Sequence, residues 1–244
     1  MGVSRSEVLE YVFQNGRFKG ITRYYCPFEL ADCTAMELFE AIGNEIISGF
    51  TIDRDNRFLF ENLIRWIHGS ETMLAYDPVN QKVVRGRLNK GIYIAGPTGT
   101  GKTLALKVLS AYASAFSFPI KFSNEYDLSK VRSLNWSTVG ADKIVANYIE
   151  TTSIESYKKD RMLCIEDLGR ESLEAVSMGN RMNVLENLLV NRGDNVNVLT
   201  LITSNLPIAD ELTKDMYGDR VVSRLMEMCN YFWLGGADRR KQTI

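Results

Sequence analysis

The sequence predicts an α/β protein: a parallel five-stranded sheet with helices on both faces, plus a small helical N-terminal region. Three observations predict it. From residue 91 onward, short apolar runs alternate with helix-period segments, which is the pattern of β-α-β units. The run Gly91-Ile92-Tyr93-Ile94-Ala95 leads through a glycine-rich turn into Leu104-Ala105-Leu106-Lys107-Val108-Leu109, giving strand, turn and helix in succession. The length of 244 residues, with 45% apolar and 24% charged side chains, suits one medium domain carrying a smaller addition. The division falls near residue 85, with 1–85 as a helical region able to dock a partner and 86–244 as the main domain.

In the first region, residues 6–13 suit a short helix. Thr34-Ala35-Met36-Glu37 is a capping-box pattern, and the helix it opens carries Met36, Leu38, Phe39, Ile42, Ile46 and Ile47 at helical spacing until Gly49. A third helix starts after Asp53 or Asp55, with Phe58, Leu59, Leu63, Ile64, Trp66 and Ile67 as its apolar stripe, and ends at Gly69. These stripes read as core. Residues 70–90 combine turn residues (Asp77-Pro78, Asn80) with Lys82, Arg85, Arg87 and Lys90, and read as a linker or hairpin. In the main domain, strands are expected at 91–95, 119–123, 162–165, 199–203 and 231–234. Helices are expected at 102–116, 128–134, 144–157, 182–192, 209–216 and 219–228. Tyr148 and Ile149 are expected to pack on the sheet.

A net charge of −1 provides no global attraction to nucleic acid, so any such contact needs a local patch or several subunits. Cys26, Cys33, Cys164 and Cys229 are scattered and His68 is the sole histidine, which argues against a zinc site and for thiols in a reducing cytoplasm. His68, at a helix end, is expected to cap that helix or to be solvated. No apolar run approaches the roughly 20 residues that a membrane span needs, and the first residues lack a secretory core, so a cytoplasmic protein without membrane contact is expected.

Residues 96–103 read GPTGTGKT, a G-x-x-x-x-G-K-[ST] phosphate-binding loop in its proper strand-to-helix context. Gly96, Gly99 and Gly101 let the backbone curl after Pro97 so that successive N–H groups, including those of Thr98, Thr100 and Leu104, surround a polyphosphate. The following helix adds its positive end, Lys102 supplies charge for the β- and γ-phosphates, and the Thr103 hydroxyl can ligate Mg²⁺. The ligand class is therefore ATP or ADP with Mg²⁺. About 60 residues later, Arg161-Met162-Leu163-Cys164-Ile165-Glu166-Asp167-Leu168-Gly169 is an apolar strand ending in two carboxylates. If this strand neighbours the loop, one acid can hold the Mg²⁺ shell and the other can orient an attacking water.

With Leu201-Ile202-Thr203-Ser204-Asn205-Leu206-Pro207 and Tyr217-Gly218-Asp219-Arg220-Val221-Val222-Ser223-Arg224-Leu225, the series resembles a specific group. GPTGTGKT, IEDLG, TSNLP and YGDRVVSRL look like an AAA+ ATPase of the DnaC/DnaI-like helicase-loader group, and are also similar to IstB-type transposition ATPases. The similarity spans about residues 90–244. It implies that Asn205 is the polar sensor at the end of the fourth strand, although Ser-Asn-Leu-Pro is also a good turn after any strand. It implies that Arg224 is an arginine finger reaching the γ-phosphate of a neighbouring subunit. Arg220 lies one helical turn away, and a solvated basic helix face is the plainer reading of both. Arg239 or Arg240 suits a second nucleotide sensor or a solvated tail. The chain departs from the group's usual Asp-Asp or Asp-Glu by carrying Glu166-Asp167, which puts the longer arm at the metal and the shorter at the water, and points to slow hydrolysis.

Between the expected second and third strands lie about 38 residues, in which Tyr126, Trp136, Tyr148 and Tyr157 are interleaved with Lys130, Arg132, Lys143, Lys158 and Lys159. Aromatic stacking and basic side chains permit single-stranded DNA contact over 124–160, while intervening acids dilute the charge. The resemblance implies a homo-oligomeric, ATP-hydrolysing assembly factor whose partner is a replicative helicase or a transposase. The alternatives are a P-loop nucleotide or small-molecule kinase, and a nucleotide-dependent scaffold with little hydrolysis.

Overall fold

The computed structural model describes residues 20–27, 34–123, 131–173, 175–177 and 180–241. The expected helix at 6–13, Cys33 and the whole Tyr126–Lys130 stretch lie outside them.

Five parallel strands form the central sheet: β4 (Gly91–Ala95), β7 (Ser137–Gly140), β8 (Met162–Leu168), β11 (Leu199–Ser204) and β12 (Cys229–Trp233), in the order β12-β4-β11-β8-β7. The first three chain positions not in this sheet, β1 (Ile21–Arg23), β2 (Leu74–Asp77) and β3 (Lys82–Arg85), and then β5 (Pro119–Phe122), β6 (Arg132–Ser133), β9 (Ala175–Ser177) and β10 (Asn180–Met182), make smaller antiparallel pairings. The helices are α1 (Ala35–Ile46), α2 (Arg57–Ile67), α3 (Lys102–Phe116), α4 (Ala141–Thr151), α5 (Glu155–Lys159), α6 (Val184–Gly193) and α7 (Glu211–Met228).

Strand side chains alternate between two apolar layers, as a period of two requires. Ile92, Ile94, Cys164 and Leu201 face a layer shared with α1, α2 and α3, whereas Tyr93, Ala95, Ile165 and Ile202 face one shared with α4, α6 and α7. Burial on both faces is why these strands read as unbroken apolar runs. Thr34 and Glu37 close the expected capping box, so α1 starts where the sequence places it. Residues 74–85 form the expected hairpin, with Tyr76 opposite Val83.

Four expectations need correction. The strand at 119–122 is real but lies outside the central sheet, pairing antiparallel with Ile21–Arg23 and with Arg132–Ser133. The fifth parallel strand is instead Ser137-Thr138-Val139-Gly140, an edge strand on which Ser137 and Thr138 are exposed, so no apolar run marks it. The described part of the expected helix at 128–134 is extended at Arg132–Ser133. The helix expected over 144–157 is broken where Thr152 turns left-handed at φ 58°, giving α4 and α5. Tyr148 packs inward as expected, but Ile149 is 50% exposed because it follows Tyr148 around the helix onto the solvent face.

His68 stands at the C-cap of α2, yet its ring is buried rather than solvated. Nδ1 lies 2.9 Å from the Cys26 carbonyl and Nε2 lies 2.7 Å from the Tyr112 hydroxyl, a pattern the neutral imidazole satisfies with Nδ1–H as donor. Burial pushes its pKa below the usual value, opposed by backbone hydrogen bonds from residues 26 and 27. A depressed histidine pKa means that the unfolded chain binds the proton first. Stability contributed by this ring is therefore complete above about pH 6.5 and declines as pH falls toward the folded-state value. Thermal melting between pH 8 and pH 5 is expected to show this decline, and His68→Gln should flatten it. An unchanged slope in the variant would assign the acid sensitivity elsewhere.

Candidate functional site

The phosphate loop leaves β4 at Ala95 and enters α3 at Lys102, at the carboxyl edge of the sheet. Gly99 has φ 85°, and a Cβ there would lie 2.0 Å from Asp238 Oδ1, so both the backbone angle and the overlying chain demand glycine. The Lys102 ammonium is folded back onto the loop. It donates to the carbonyls of Gly96 and Pro97 at 2.8 Å each and to Asn205 Oδ1 at 2.9 Å. Burial lowers its pKa, while the Asp167 charge works in the opposite sense.

The loop strand and the carboxylate strand are not neighbours, contrary to the simplest arrangement. β11 lies between them and supplies the bridge. Thr203 Oγ1 accepts from the Asp167 amide at 3.0 Å, and Asn205 contacts both Lys102 and, through Nδ2, Thr98 Oγ1 at 3.3 Å. Asn205 thus stands between the loop and the acids.

Asp167 and Glu166 diverge. Asp167 adopts φ 56°, uncommon for a non-glycine residue, and its carboxylate pairs with Arg170 at 3.0 Å. It lines a cavity of about 470 Å³ together with Thr98, Lys102, Thr103, Lys107 and Asn205. Glu166 is not in that lining. Its pKa is raised by burial, with Lys107 opposing and Asp167 reinforcing the shift. Its Oε1 is buried without a hydrogen-bond partner among the described residues.

The rest of the cavity comes from Ile46, Ile47 and Arg170, which the sequence did not assign to it, and from Arg239 and Arg240, where a second nucleotide sensor or a solvated tail was expected. Ile46 and Ile47 at the end of α1 form one wall, and Arg170, Arg239 and Arg240 supply cationic rims. Arg239 makes a two-point ion pair with Asp53, at 2.8 and 2.9 Å, and its amide donates to the Gly99 carbonyl at 3.0 Å. Arg170 stands three residues after Asp167, within the same IEDLGR string.

Arg224 lies away from this cavity, on α7. Its guanidinium contacts Asp194 and Glu227, each at 2.6 Å, and Arg220 reaches Asp194 at 3.4 Å. Gly193 leaves room for it, since a Cβ there would lie 2.6 Å from the Arg224 Cβ.

No protein-family model and no curated sequence matches the chain. Among solved structures, a candidate primosome component from Streptococcus pyogenes serotype M3 is similar at 19% identity and a TM-score of 0.50, over 77% of this chain and 84% of that one. The two share a fold, a parallel five-stranded sheet with helices on both faces. DnaI (17% identity, TM-score 0.49, 77% and 89% coverage) and the DnaC helicase loader (14%, 0.48, 78% and 95%) are similar at lower scores.

The strand order accounts for the β11 bridge, because a polar strand end between β4 and β8 faces whatever the loop holds. The Mg²⁺ fit rests on the chain's own oxygens: Thr103 lines the cavity, and Glu166, outside that lining, has an oxygen with no donor among the described residues, which a cation would meet through its bound water. Among the described residues, no helix is long and apolar enough to cross a membrane.

Proposed function

We propose that this chain binds and hydrolyses ATP as an AAA+ assembly factor serving DNA-replication or transposition machinery. The observation that carries the reading is the convergence of Lys102, Thr103, Asp167 and Asn205 on one cavity at the carboxyl edge of a parallel sheet. In it, Gly96–Thr103 and Leu104 cradle the phosphates. On ATP binding, Lys102 exchanges the Gly96 and Pro97 carbonyls for β- and γ-phosphate oxygens. Mg²⁺, held by Thr103 and by Glu166 through water, would neutralise charge on those oxygens. Asp167 accepts a hydrogen bond from the water that attacks the γ-phosphorus, and Asn205 fixes that water or a γ-oxygen. The bond from phosphorus to the β-bridging oxygen breaks, releasing ADP and phosphate.

Arg224 completes the site of a neighbouring copy, which makes turnover conditional on assembly. Its planar fork suits phosphate oxygens, and its position outside its own cavity supports action in trans. The fold shared with a candidate primosome component favours a replicative helicase as the partner, with a transposase as the related alternative. Contact with single-stranded DNA through 131–160 belongs to the same proposal.

The test is complementation in mixed oligomers. A Lys102→Ala chain and an Arg224→Ala chain, each inactive alone, should together regain about a quarter of wild-type phosphate release, because some junctions pair the intact groups. No recovery at any ratio, with assembly confirmed, removes the finger. ADP formation that requires an added acceptor, with the phosphoryl group carried onto that acceptor, would replace the ATPase with a kinase, and tight ATP binding without turnover would leave a scaffold.

A further inference from the structure

After Asp167 the chain does not simply leave the sheet. Asp167 and then Gly169 take left-handed angles, φ 56° and 97°, and the Arg170 amide returns to the Asp167 carbonyl at 3.2 Å. This tight turn brings Glu171 back under the strand end, where it is 8% exposed. One oxygen of its carboxylate accepts from the Gly169 amide at 2.9 Å, and the other accepts from the Tyr217 hydroxyl. Tyr217 is itself buried within the apolar layer that also holds Tyr93, Leu168 and Ile208. A carboxylate in such surroundings is unfavourable unless its partners are fixed, so this contact holds both partners in register.

The location of Tyr217 gives the contact its meaning. It is the last residue before Gly218, whose φ 80° and ψ 161° break α7 into two segments. A Cβ at 218 would meet nothing within 4 Å, so the break is not forced by crowding, and a left-handed glycine there acts as a joint. The second segment carries Arg220 and Arg224 and is moored at its far side to Asp194. Buried Val221, Val222 and Leu225 seat that segment on the apolar layer, and two polar anchors fix how it lies there, Tyr217 on Glu171 at the joint and Arg224 on Asp194 beyond it.

We infer that Glu171 and Tyr217 are positioning residues that aim the Arg224 segment from the turn beginning at Asp167, so that each copy presents its guanidinium in a geometry set by its own carboxylate strand. The inference rests on the reading of Arg224 as a residue acting on a neighbouring copy. Neither Glu171 nor Tyr217 lines the nucleotide cavity, so ATP affinity does not depend on them.

The experiment places Tyr217→Phe in one member of the complementing pair at a time. In the chain that only donates the guanidinium (Lys102→Ala with Tyr217→Phe), recovery with the Arg224→Ala partner should fall about tenfold, since misplacement by a fraction of an ångström weakens a transition-state contact. In the chain that only hydrolyses (Arg224→Ala with Tyr217→Phe), recovery should stay within about twofold of the unmodified pair. Titration with a fluorescent ATP analogue should show unchanged affinity in both. Equal losses in the two placements would mean that the contact merely supports the fold, and would overturn the inference while leaving the Arg224 reading intact. No recovery by the unmodified pair would overturn both. Should Tyr217→Phe fail to fold, as judged by its melting curve, Glu171→Gln placed in the same two ways is expected to give the same donor-side asymmetry.

Discussion

Replacing Lys102 with alanine is expected to weaken ATP binding about a hundredfold and to leave phosphate release at background. Losing a desolvated charge opposite phosphate costs roughly 2–5 kcal/mol, and about 2.7 kcal/mol corresponds to two decades in affinity. The lysine is buried, and its ammonium is already held by two loop carbonyls and Asn205, so it reaches phosphate by exchanging partners rather than by ordering a free arm. The side-chain entropy cost of immobilising a long cation has thus been met in the folded chain. Calorimetric titration with ATP measures the effect. Affinity within twofold of the parent protein would remove the phosphate role from this loop.

Asp167→Asn and Glu166→Gln should separate binding from chemistry. Both are expected to keep ATP affinity within a few-fold, whereas phosphate release in the Asp167→Asn chain should fall about 10²- to 10³-fold, the usual range for loss of a general base. Asparagine preserves the hydrogen bond that the residue-167 amide donates to Thr203 Oγ1, while removing the charge and with it the Arg170 ion pair. Glu166→Gln should have its effect elsewhere. Its burial-raised pKa and an oxygen unpartnered among the described residues place it where a cation would compensate. The variant should need about tenfold more Mg²⁺ for half-maximal turnover, because one negative donor has been lost. Magnesium titrations at saturating ATP distinguish the two. Equal magnesium dependence in both variants would collapse the division of labour between the carboxylates.

The parts of the fold that were legible beforehand were those whose residues answer to local physics. The capping box at Thr34, the stripe of α2 and the doubly buried runs at 91–95, 162–165 and 199–203 all follow from periodicity and backbone demand. What escaped was decided by partners distant in the chain. Ser137–Gly140 is strand only because β8 offers it an edge, and Pro119–Phe122 pairs with residues about 100 positions earlier. The site divides in the same way. Gly96–Thr103 could be read directly, since a phosphate cradle is local, and Glu166-Asp167 followed from an apolar run meeting two acids. The wall made by Ile46 and Ile47 and the Asp53–Arg239 pair are tertiary, and no spacing within either segment announces them. Arg170 is as local as the acids, three residues after Asp167, but nothing in that string separates a cation lining a cavity from a solvated one.

The pairing of Arg239 with Asp53, together with the Arg239 amide on Gly99, means that segments almost 190 positions apart close over the same turn of backbone. Truncation would therefore mislead. A shortened polypeptide cut after Leu234, or one trimmed past Asp53, would lose a clasp on the nucleotide mouth even though every motif residue remained. Weak retention of ATP by such a fragment would say little about the intact protein, and an affinity tag fused hard against Arg240 would invite the same error.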